Sequence, residues 1–141
     1  MATIKARLAF LCRGNSCRSI MAEAMTNHFF GLEVEAVSAG FHPLGWVAAA
    51  TLTVLIELQV PTLGLRSKGL GEIELDSCQA IINISGYDLN KHLPPTYRGR
   101  VCHRHIADPF GFDLNHYRQA RDAIRQLLDK EISHWLTPVY P

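Results

Sequence analysis

The most constraining feature of this chain is the stretch 10–19, Phe-Leu-Cys-Arg-Gly-Asn-Ser-Cys-Arg-Ser, which joins a short apolar run to a helical pattern. A strand that ends at Cys12 leads there into a tight loop and then into the first turn of a helix, whose N–H groups lack partners within the helix. Gly14 and Asn15 are residue types that tolerate the left-handed conformations such a loop requires. The stretch therefore predicts a strand–loop–helix unit whose concave centre attracts anions.

The same loop contains a nucleophile and a clamp for an oxyanion. Five residues separate Cys12, at the floor of the loop, from Arg18, whose guanidinium fork grips two oxygens of a tetrahedral oxyanion. The positive field that binds phosphate also favours the thiolate, which is the nucleophilic form of cysteine. Together the two groups indicate covalent phosphoryl transfer. The alternative, a buried strand-end cysteine and a surface arginine, leaves the strand, the Gly-Asn pair and the helix around them unexplained.

The remaining apolar patterns predict strands that alternate with helices. We predict strands at residues 5–11, 32–37, 78–85 and 101–106, a helix from Ser19 that Gly31 closes, a loop at 62–72, and helices over 45–60 and 114–132. This alternation implies an α/β fold with a parallel sheet covered by helices on both faces, in a single domain over residues 1–141. Ligands of such sheets bind at the carboxyl ends of the strands.

Length and composition narrow the class of protein further. The chain has 141 residues, of which 48% are hydrophobic and 19% charged, as expected for a globular domain. A net charge of +1 argues against nucleic acid or an anionic membrane as partner, and no apolar run approaches the ~20 residues that span a bilayer. Four cysteines without zinc-ligand spacing, and no secretory signal, favour a reducing, cytoplasmic location and no metal site.

The departing group of a phosphate ester needs a proton, and Asp108 is the candidate donor. It follows the fourth predicted strand, which places its loop at the same sheet edge as Cys12. Pro109 stiffens that loop. We therefore expect a general acid here rather than an ordinary turn residue, with His103 and His105 as the other titratable groups near this strand end.

Motifs along nearly the whole chain resemble the low-molecular-weight protein tyrosine phosphatase superfamily, which includes the thioredoxin-coupled arsenate reductases. Residues 11–19 with Met-Ala-Glu-Ala at 21–24 are similar to its phosphate loop, and further matches are Ser-Ala-Gly at 38–40, Ser-Lys at 67–68, Asp-Pro-Phe-Gly at 108–111, Tyr-Arg at 117–118 and Arg-Asp at 121–122. The resemblance implies a four-stranded parallel sheet, a phosphate-binding loop between the first strand and first helix, a cysteinyl-phosphate intermediate, and no obligatory metal or cofactor.

Carried over residue by residue, the resemblance makes Cys12 the nucleophile, Arg18 the oxyanion clamp, and Asp108 the acid and later the base for water. Ser19 would hydrogen-bond the Cys12 thiolate, and Asn15 would hold the loop through its side chain, with Ser38 as a possible partner. The residues expected to bind phosphate are Arg13, Gly14, Asn15, Ser16, Cys17 and Ser19.

Some of these positions keep two interpretations. Cys17 is either a packing residue or the partner of Cys12 in a reversible disulfide that protects the nucleophile. Glu23 either steadies the loop or is a solvated helix residue, and Ser19 is also a candidate helix cap. Arg13 stands where the family commonly has a neutral residue, so it adds positive charge at the pocket mouth and favours more anionic ligands.

Three aromatic residues, Phe41, Trp46 and Phe110, are candidates for the pocket wall, although core positions are favoured for each.

The reductases of this superfamily need resolving cysteines after the third strand. Here Ser85 stands near the first of those positions and no cysteine pair follows, while Cys78 precedes the strand and Cys102 lies in the next one.

We therefore predict a phosphomonoester hydrolase, most simply a protein tyrosine phosphatase. Its substrate would be a phosphorylated protein or small aryl phosphate, with inorganic phosphate or another oxyanion as product or inhibitor. A thiol-dependent arsenate reductase is the alternative. A non-catalytic phosphate-binding or redox-sensing module is less favoured, since all three catalytic positions are intact.

Overall fold

The structure is a computed structural model that describes residues 5–139. Four parallel strands, β1 (Ala6–Cys12), β2 (Val34–Gly40), β3 (Ala80–Asn83) and β4 (Arg100–His103), form a sheet in the order β2-β1-β3-β4. The α-helices are α1 (Arg18–Phe29), α2 (Ala49–Glu57) and α3 (Leu114–Trp135). The predicted α/β fold with a four-stranded parallel sheet is confirmed.

Strand β1 lies inside the sheet, and its carboxyl end marks the place where the strand order reverses. It pairs with β2 along its whole length, from Ala6 opposite Val34 to Cys12 opposite Gly40, and with β3 on its other side. The chain therefore leaves β1 toward one neighbour and later returns to the other. A crevice forms at such a reversal point, and Cys12, the last residue of β1, lies in it.

The two faces of the sheet are covered by different kinds of helix. Leu8 and Phe10 of β1 belong to the core cluster shared with all three α-helices, where Trp135 packs edge-on against Phe10 with 6.0 Å between ring centroids. Ala9 and Leu11 belong to the cluster of the other face, which short 3-10 helices at 70–72, 75–77 and 90–92 and their loops cover. Helical cover on both faces is thus confirmed.

The largest difference from the predicted elements is the second helix, which begins at Ala49 rather than at residue 45. Residues 41–48 instead form a loop. Its N–H groups, including those of Leu44 and Ala48, donate hydrogen bonds to backbone carbonyls within residues 12–16, in the loop between β1 and α1 (the phosphate loop). Long-range hydrogen bonds therefore override the apolar helical pattern in this segment. No helix within residues 5–139 combines the length and apolarity needed to cross a membrane.

The strand ends differ by a few residues for local reasons. Strand β2 runs on to Gly40 because it follows β1 to its end at Cys12. Strand β3 stops at Asn83, whose side-chain oxygen accepts the N–H of Ser85 at 3.1 Å and turns the chain. The last helix continues past residue 132 to Trp135, which is fully buried and extends the apolar face.

Candidate active site

The loop between β1 and α1 is held from the outside by its own carbonyl groups. The C=O groups of residues 12–14 accept hydrogen bonds of 2.7–3.0 Å from N–H groups within residues 41–44, and that of Ser16 accepts the Thr51 hydroxyl at 2.8 Å. None of the hydrogen bonds among residues 5–139 uses the N–H groups of residues 13–17. The loop therefore directs its carbonyls outward and leaves its amides free, an arrangement that can bind an anion at its centre.

Two residues allow the backbone to close this tightly. Asn15 has a φ of +48°, in the left-handed region that the sequence predicts for this position. Gly40, at the end of β2, lies directly behind the loop. A Cβ at Gly40 would stand 2.7 Å from the carbonyl oxygen of Arg13 and 2.9 Å from the nitrogen of Asn15. The close approach of the two segments thus requires a glycine, which explains the Ser-Ala-Gly motif.

A buried chain of hydrogen bonds fixes Cys12, the candidate nucleophile. Asn15 Nδ2 donates to Ser19 Oγ at 2.7 Å and to Ser38 Oγ at 2.9 Å, while Asn15 Oδ1 accepts the N–H of Lys68 at 2.8 Å. Because Ser19 Oγ accepts from Asn15, its own hydrogen is free for Cys12 Sγ, 2.8 Å away. The expected partnership of Asn15 with Ser38 is confirmed.

The chain of bonds continues to Glu23 and Lys68. Ser38 Oγ donates to Glu23 Oε1 at 2.6 Å, and Lys68 Nζ lies 3.3 Å from the same oxygen. Both charged side chains are largely buried, at 15% and 11% exposure respectively. Glu23 therefore belongs to the loop network and is not a solvated helix residue. For Lys68 the sequence offered only the Ser-Lys motif of the resemblance, without a role.

Arg18 joins the phosphate loop to the loop that carries Asp108. Its side chain is 4% exposed, and Nη1 donates to the carbonyls of Ile106 at 2.8 Å and Ile84 at 3.3 Å. Arg18 Nη2 lies 3.5 Å from Asp108 Oδ2, and Asp108 Oδ1 accepts the N–H of Phe110 at 3.1 Å. The two carbonyls fix the guanidinium plane, and the carboxyl group remains 41% exposed at the cavity.

These groups surround a cavity of about 210 Å³ at the carboxyl edge of the sheet. Its lining includes Cys12, Arg18 and Asp108, together with four of the expected phosphate-binding residues, Arg13, Gly14, Ser16 and Cys17. The other two, Asn15 and Ser19, are fully buried beneath the loop and do not line it. Their side chains hold the loop and Cys12 instead. His42 and Leu44 also line the cavity, which the sequence did not predict.

Comparison with known proteins places this arrangement in a family. The family described as low molecular weight phosphotyrosine protein phosphatase matches residues 7–137. The chain belongs to this family.

Relatives within the family carry the names of several activities. Arsenate reductase 1 of Bacillus cereus (strain ATCC 10987 / NRS 248) is 30% identical over 89% of this chain and 93% of its own length. The protein-arginine-phosphatase of Bacillus subtilis (strain 168) is 30% identical over 86% and 91%. The solved low molecular weight protein tyrosine phosphatase from T. tengcongensis is 25% identical with a TM-score of 0.80, covering 92% of this chain and 99% of that one.

The sequence favours core positions for Trp46 and Phe110, and this expectation is wrong for both residues. Trp46 is 53% and Phe110 45% exposed, their ring centroids are 5.9 Å apart, and Phe110 lines the cavity. Trp46 is exposed because its segment is bound to the phosphate loop rather than folded into a helix. Phe41 is half-buried against the second core cluster and Tyr87, so the core interpretation is confirmed for it.

Cys17 is buried in the cavity wall at the N-cap of α1. Its Sγ lies 3.5 Å from the hydroxyl of Tyr117, and burial raises the pKa of the Cys17 thiol. Desolvation likewise raises the pKa of the Tyr117 hydroxyl. Since α1 begins at Arg18 with Cys17 as N-cap, Ser19 lies inside the helix and is not its cap.

Ser85, which stands near the position expected for a first resolving cysteine, has a structural role. Ser85 Oγ donates to Asn83 Oδ1 at 2.6 Å and accepts the N–H of Tyr87 at 2.8 Å, so it fixes the turn after β3. Cys78 and Cys102 are buried in the core clusters and do not line the cavity. Residues 5–139 contain no group of three His, Cys, Asp or Glu side chains arranged to hold a metal ion.

Proposed function

We propose that this protein hydrolyses phosphate monoesters through a cysteinyl-phosphate intermediate, with phosphotyrosine of proteins or a small aryl phosphate as substrate. The observation that carries this proposal is the position of Cys12 Sγ. It lies at the floor of a loop whose amides are free for an anion, 2.8 Å from a serine hydroxyl that is oriented to donate to it. Such an arrangement stabilises both a thiolate and a bound phosphoryl group.

In the first step, Cys12 Sγ attacks phosphorus while the bond from phosphorus to the leaving oxygen breaks. Charge on the non-bridging oxygens is taken up by the loop amides and by Arg18, whose guanidinium plane two backbone carbonyls hold. Asp108, in its protonated form, donates a proton to the leaving oxygen. Because the Asp108 carboxyl group is exposed at the cavity, it can take up a new proton from solvent between turnovers.

In the second step, water attacks the cysteinyl phosphate. The Asp108 carboxylate accepts a proton from that water, the sulfur–phosphorus bond breaks, and inorganic phosphate leaves. The hydroxyl of Ser19 stabilises Cys12 as a departing thiolate through the same 2.8 Å contact that favours it as nucleophile. Asn15 keeps this hydroxyl oriented because its Nδ2 occupies the acceptor side of Ser19 Oγ.

The rim of the cavity supports an aryl group on the substrate. Phe110 and Leu44 line the cavity, and Trp46 lies beside Phe110, so an aromatic ring attached to the bound phosphate meets apolar surface. This favours phosphotyrosine over a purely polar leaving group. Because one relative is named a protein-arginine-phosphatase, phosphoarginine is the substrate to compare directly.

Thiol-dependent arsenate reduction is the second candidate, favoured by the relatives named arsenate reductase. An arsenate bound at Cys12 would need a further thiol to carry the oxidising equivalent away. Cys17 is the one other thiol lining the cavity among residues 5–139, and the position after β3 holds Ser85. Because Cys17 is buried with its Sγ against the Tyr117 hydroxyl, reduction would depend on an external thiol, which makes hydrolysis the better supported activity.

The deciding experiment is turnover by the purified protein, with Cys12→Ser as the blank. We expect release of phosphate from p-nitrophenyl phosphate and phosphotyrosine, a smaller rate with phosphoarginine, and no arsenite from arsenate with glutathione or a thioredoxin system. A faster rate with phosphoarginine would reassign the substrate. Arsenate reduction without phosphate-ester turnover would overturn the proposal.

A further inference from the structure

Arg13 differs from every other arginine in the part of the chain that the structure describes. The others each donate a hydrogen bond to an acceptor of the same chain, as Arg7 does to Glu35 and Arg104 to Glu131. Even Arg98, in an exposed loop, binds backbone carbonyls. The guanidinium of Arg13 has no acceptor within residues 5–139, although its residue lines the active-site cavity. A free fork at this place is available to a ligand.

The root of the Arg13 side chain is held firmly. Its backbone carbonyl accepts the N–H of His42 at 2.7 Å and packs against Gly40. The side chain therefore leaves a fixed point on the rim and reaches into solvent, so little backbone freedom is lost when it binds a partner. His42 lines the same cavity, which adds a second nitrogen-bearing side chain to this part of the rim.

Among residues 5–139, no carboxylate forms an ion pair with Arg13. Asp108 is the one carboxylate among the lining residues, and its Oδ2 faces Arg18 at 3.5 Å. In the proposed function, Arg18 and the loop amides at the floor bind the phosphate. The guanidinium of Arg13 is therefore not needed for the phosphate and can bind a second anionic group on the substrate.

We propose that Arg13 binds a carboxylate adjacent to the phosphorylated side chain, so that phosphotyrosine peptides with a neighbouring Asp or Glu are the preferred substrates. This inference rests on the proposed phosphatase function. A guanidinium fork matches a carboxylate through two parallel hydrogen bonds, which a lysine cannot reproduce. Since Arg13 is exposed, the pair is screened by salt, and the preference is expected to be moderate.

The test compares two phosphotyrosine peptides that differ only in Glu or Gln on either side of the phosphotyrosine. For the unmodified protein at low salt we expect a ratio of kcat/KM values of about 3–10 in favour of the Glu peptide. In Arg13→Gln the ratio falls to about 1, whatever happens to the absolute rates, and Arg13→Lys retains part of it. Raising the salt from about 20 mM to about 500 mM lowers the ratio in the unmodified protein.

The matched control is Arg98→Gln, which removes the same charge from the opposite edge of the sheet, just before β4 begins. This variant should keep the full ratio. A ratio of one in the unmodified protein, or an equal ratio in Arg13→Gln, would overturn the inference about Arg13. Failure of the phosphatase proposal looks different, because neither peptide would then be hydrolysed at all.

Discussion

At the floor of the cavity, Cys12, Asn15 and Ser19 are 2%, 0% and 0% exposed, and the Asn15 amide uses both of its hydrogens and its oxygen within the protein. At the rim, Phe110 is 45% exposed and Arg13 has no acceptor among residues 5–139. The floor is ordered before any ligand arrives, so no ordering cost remains for the chemical step. At the rim, the aromatic and guanidinium side chains remain exposed and available for contact with a ligand.

Under the proposed function, this difference in burial assigns the reaction itself to the floor and the selection of the substrate to the rim. On the proposed function, the floor contains the groups that bind a phosphoryl or arsenate oxyanion, whichever molecule carries it. On the same proposal, the aromatic pair and Arg13 at the rim contact the rest of the substrate. Relatives at 30% identity bear the names of two activities, so membership of the family leaves the substrate to be read from the rim.

The largest effect is expected from Cys12→Ser, which breaks the chemistry of the floor without changing its shape. Turnover of every phosphate ester should be abolished, since a serine hydroxyl is a far weaker nucleophile than a thiolate. Phosphate or vanadate should still bind, because the loop amides and Arg18 remain. Calorimetry and p-nitrophenyl phosphate kinetics measure the two properties. Residual activity above about a tenth of the unmodified protein would remove Cys12 from the nucleophile role.

Arg18→Lys tests the residue that joins floor and rim. A lysine cannot bind the carbonyls of Ile84 and Ile106 and still present two parallel donors to an oxyanion. We expect a loss of about 2–4 kcal/mol of transition-state stabilisation, seen in kcat/KM, together with weaker phosphate binding. Thermal unfolding of the variant serves as the control for folding. Near-normal kinetics in a folded variant would contradict the geometry assigned to the loop.

Asp108→Asn tests a residue at the rim that is proposed to take part in the reaction itself. The variant keeps an acceptor for the N–H of Phe110 but has no proton to give. Hydrolysis of phosphotyrosine should slow by about 100-fold, whereas a nitrophenyl ester, whose leaving group departs with little protonation, should lose much less.

Measuring Asp108→Asn on both esters across pH separates catalysis from structure. Equal defects on the two leaving groups would show that Asp108 only shapes its loop. His103 and His105 would then be the remaining titratable groups near this strand end, but neither lines the cavity. The geometry therefore favours Asp108 more clearly than the sequence does.

The floor was largely predictable because its determinants are local. The strand, the Gly14–Asn15 pair and the helix lie within one short stretch, and each residue type suits the conformation at its own position. The fold class followed from the alternation of strands and helices for the same reason. What was missed depends on contacts between distant segments. The need for Gly40 behind Arg13, for example, appears only when β2 and the loop are brought together.

The rim was less predictable because its residues break the usual relation between apolarity and burial. Trp46 and Phe110 are apolar and favour the core by composition, yet both are exposed beside the cavity. The helical pattern over 45–60 failed at its first turn because residues 41–48 bind the phosphate loop instead. Sequence periodicity reports the preference of a segment alone, and a binding site is where another segment most often overrides it.

A third region, at the contact of α2 with α3, belongs to neither the floor nor the rim. A substitution there is expected to have the smallest effect, on stability rather than on activity. Glu57 accepts hydrogen bonds from Arg118 at 2.7 Å and from the largely buried Arg121 at 2.6 Å. These bonds, that of Arg118 above all, lower the pKa of Glu57 from 4.5 to about 2. None of the three residues lines the active-site cavity.

Glu57→Gln should therefore lower the Tm at neutral pH by at most a few degrees, since partly exposed ion pairs are screened by solvent, and leave kcat/KM unchanged. Because the folded protein holds Glu57 ionised below its ordinary pKa, the stabilisation is complete above pH 4.5 and is lost as the pH falls toward 2. The Tm difference between the two proteins should shrink over that same interval. Glu33→Gln is the matched control, since exposed Glu33 has no ion-pair partner among residues 5–139. A Tm difference that persists undiminished to pH 2 would mean that Glu57 acts through packing rather than charge, and a fall in kcat/KM would mean that the site extends further than its floor and rim.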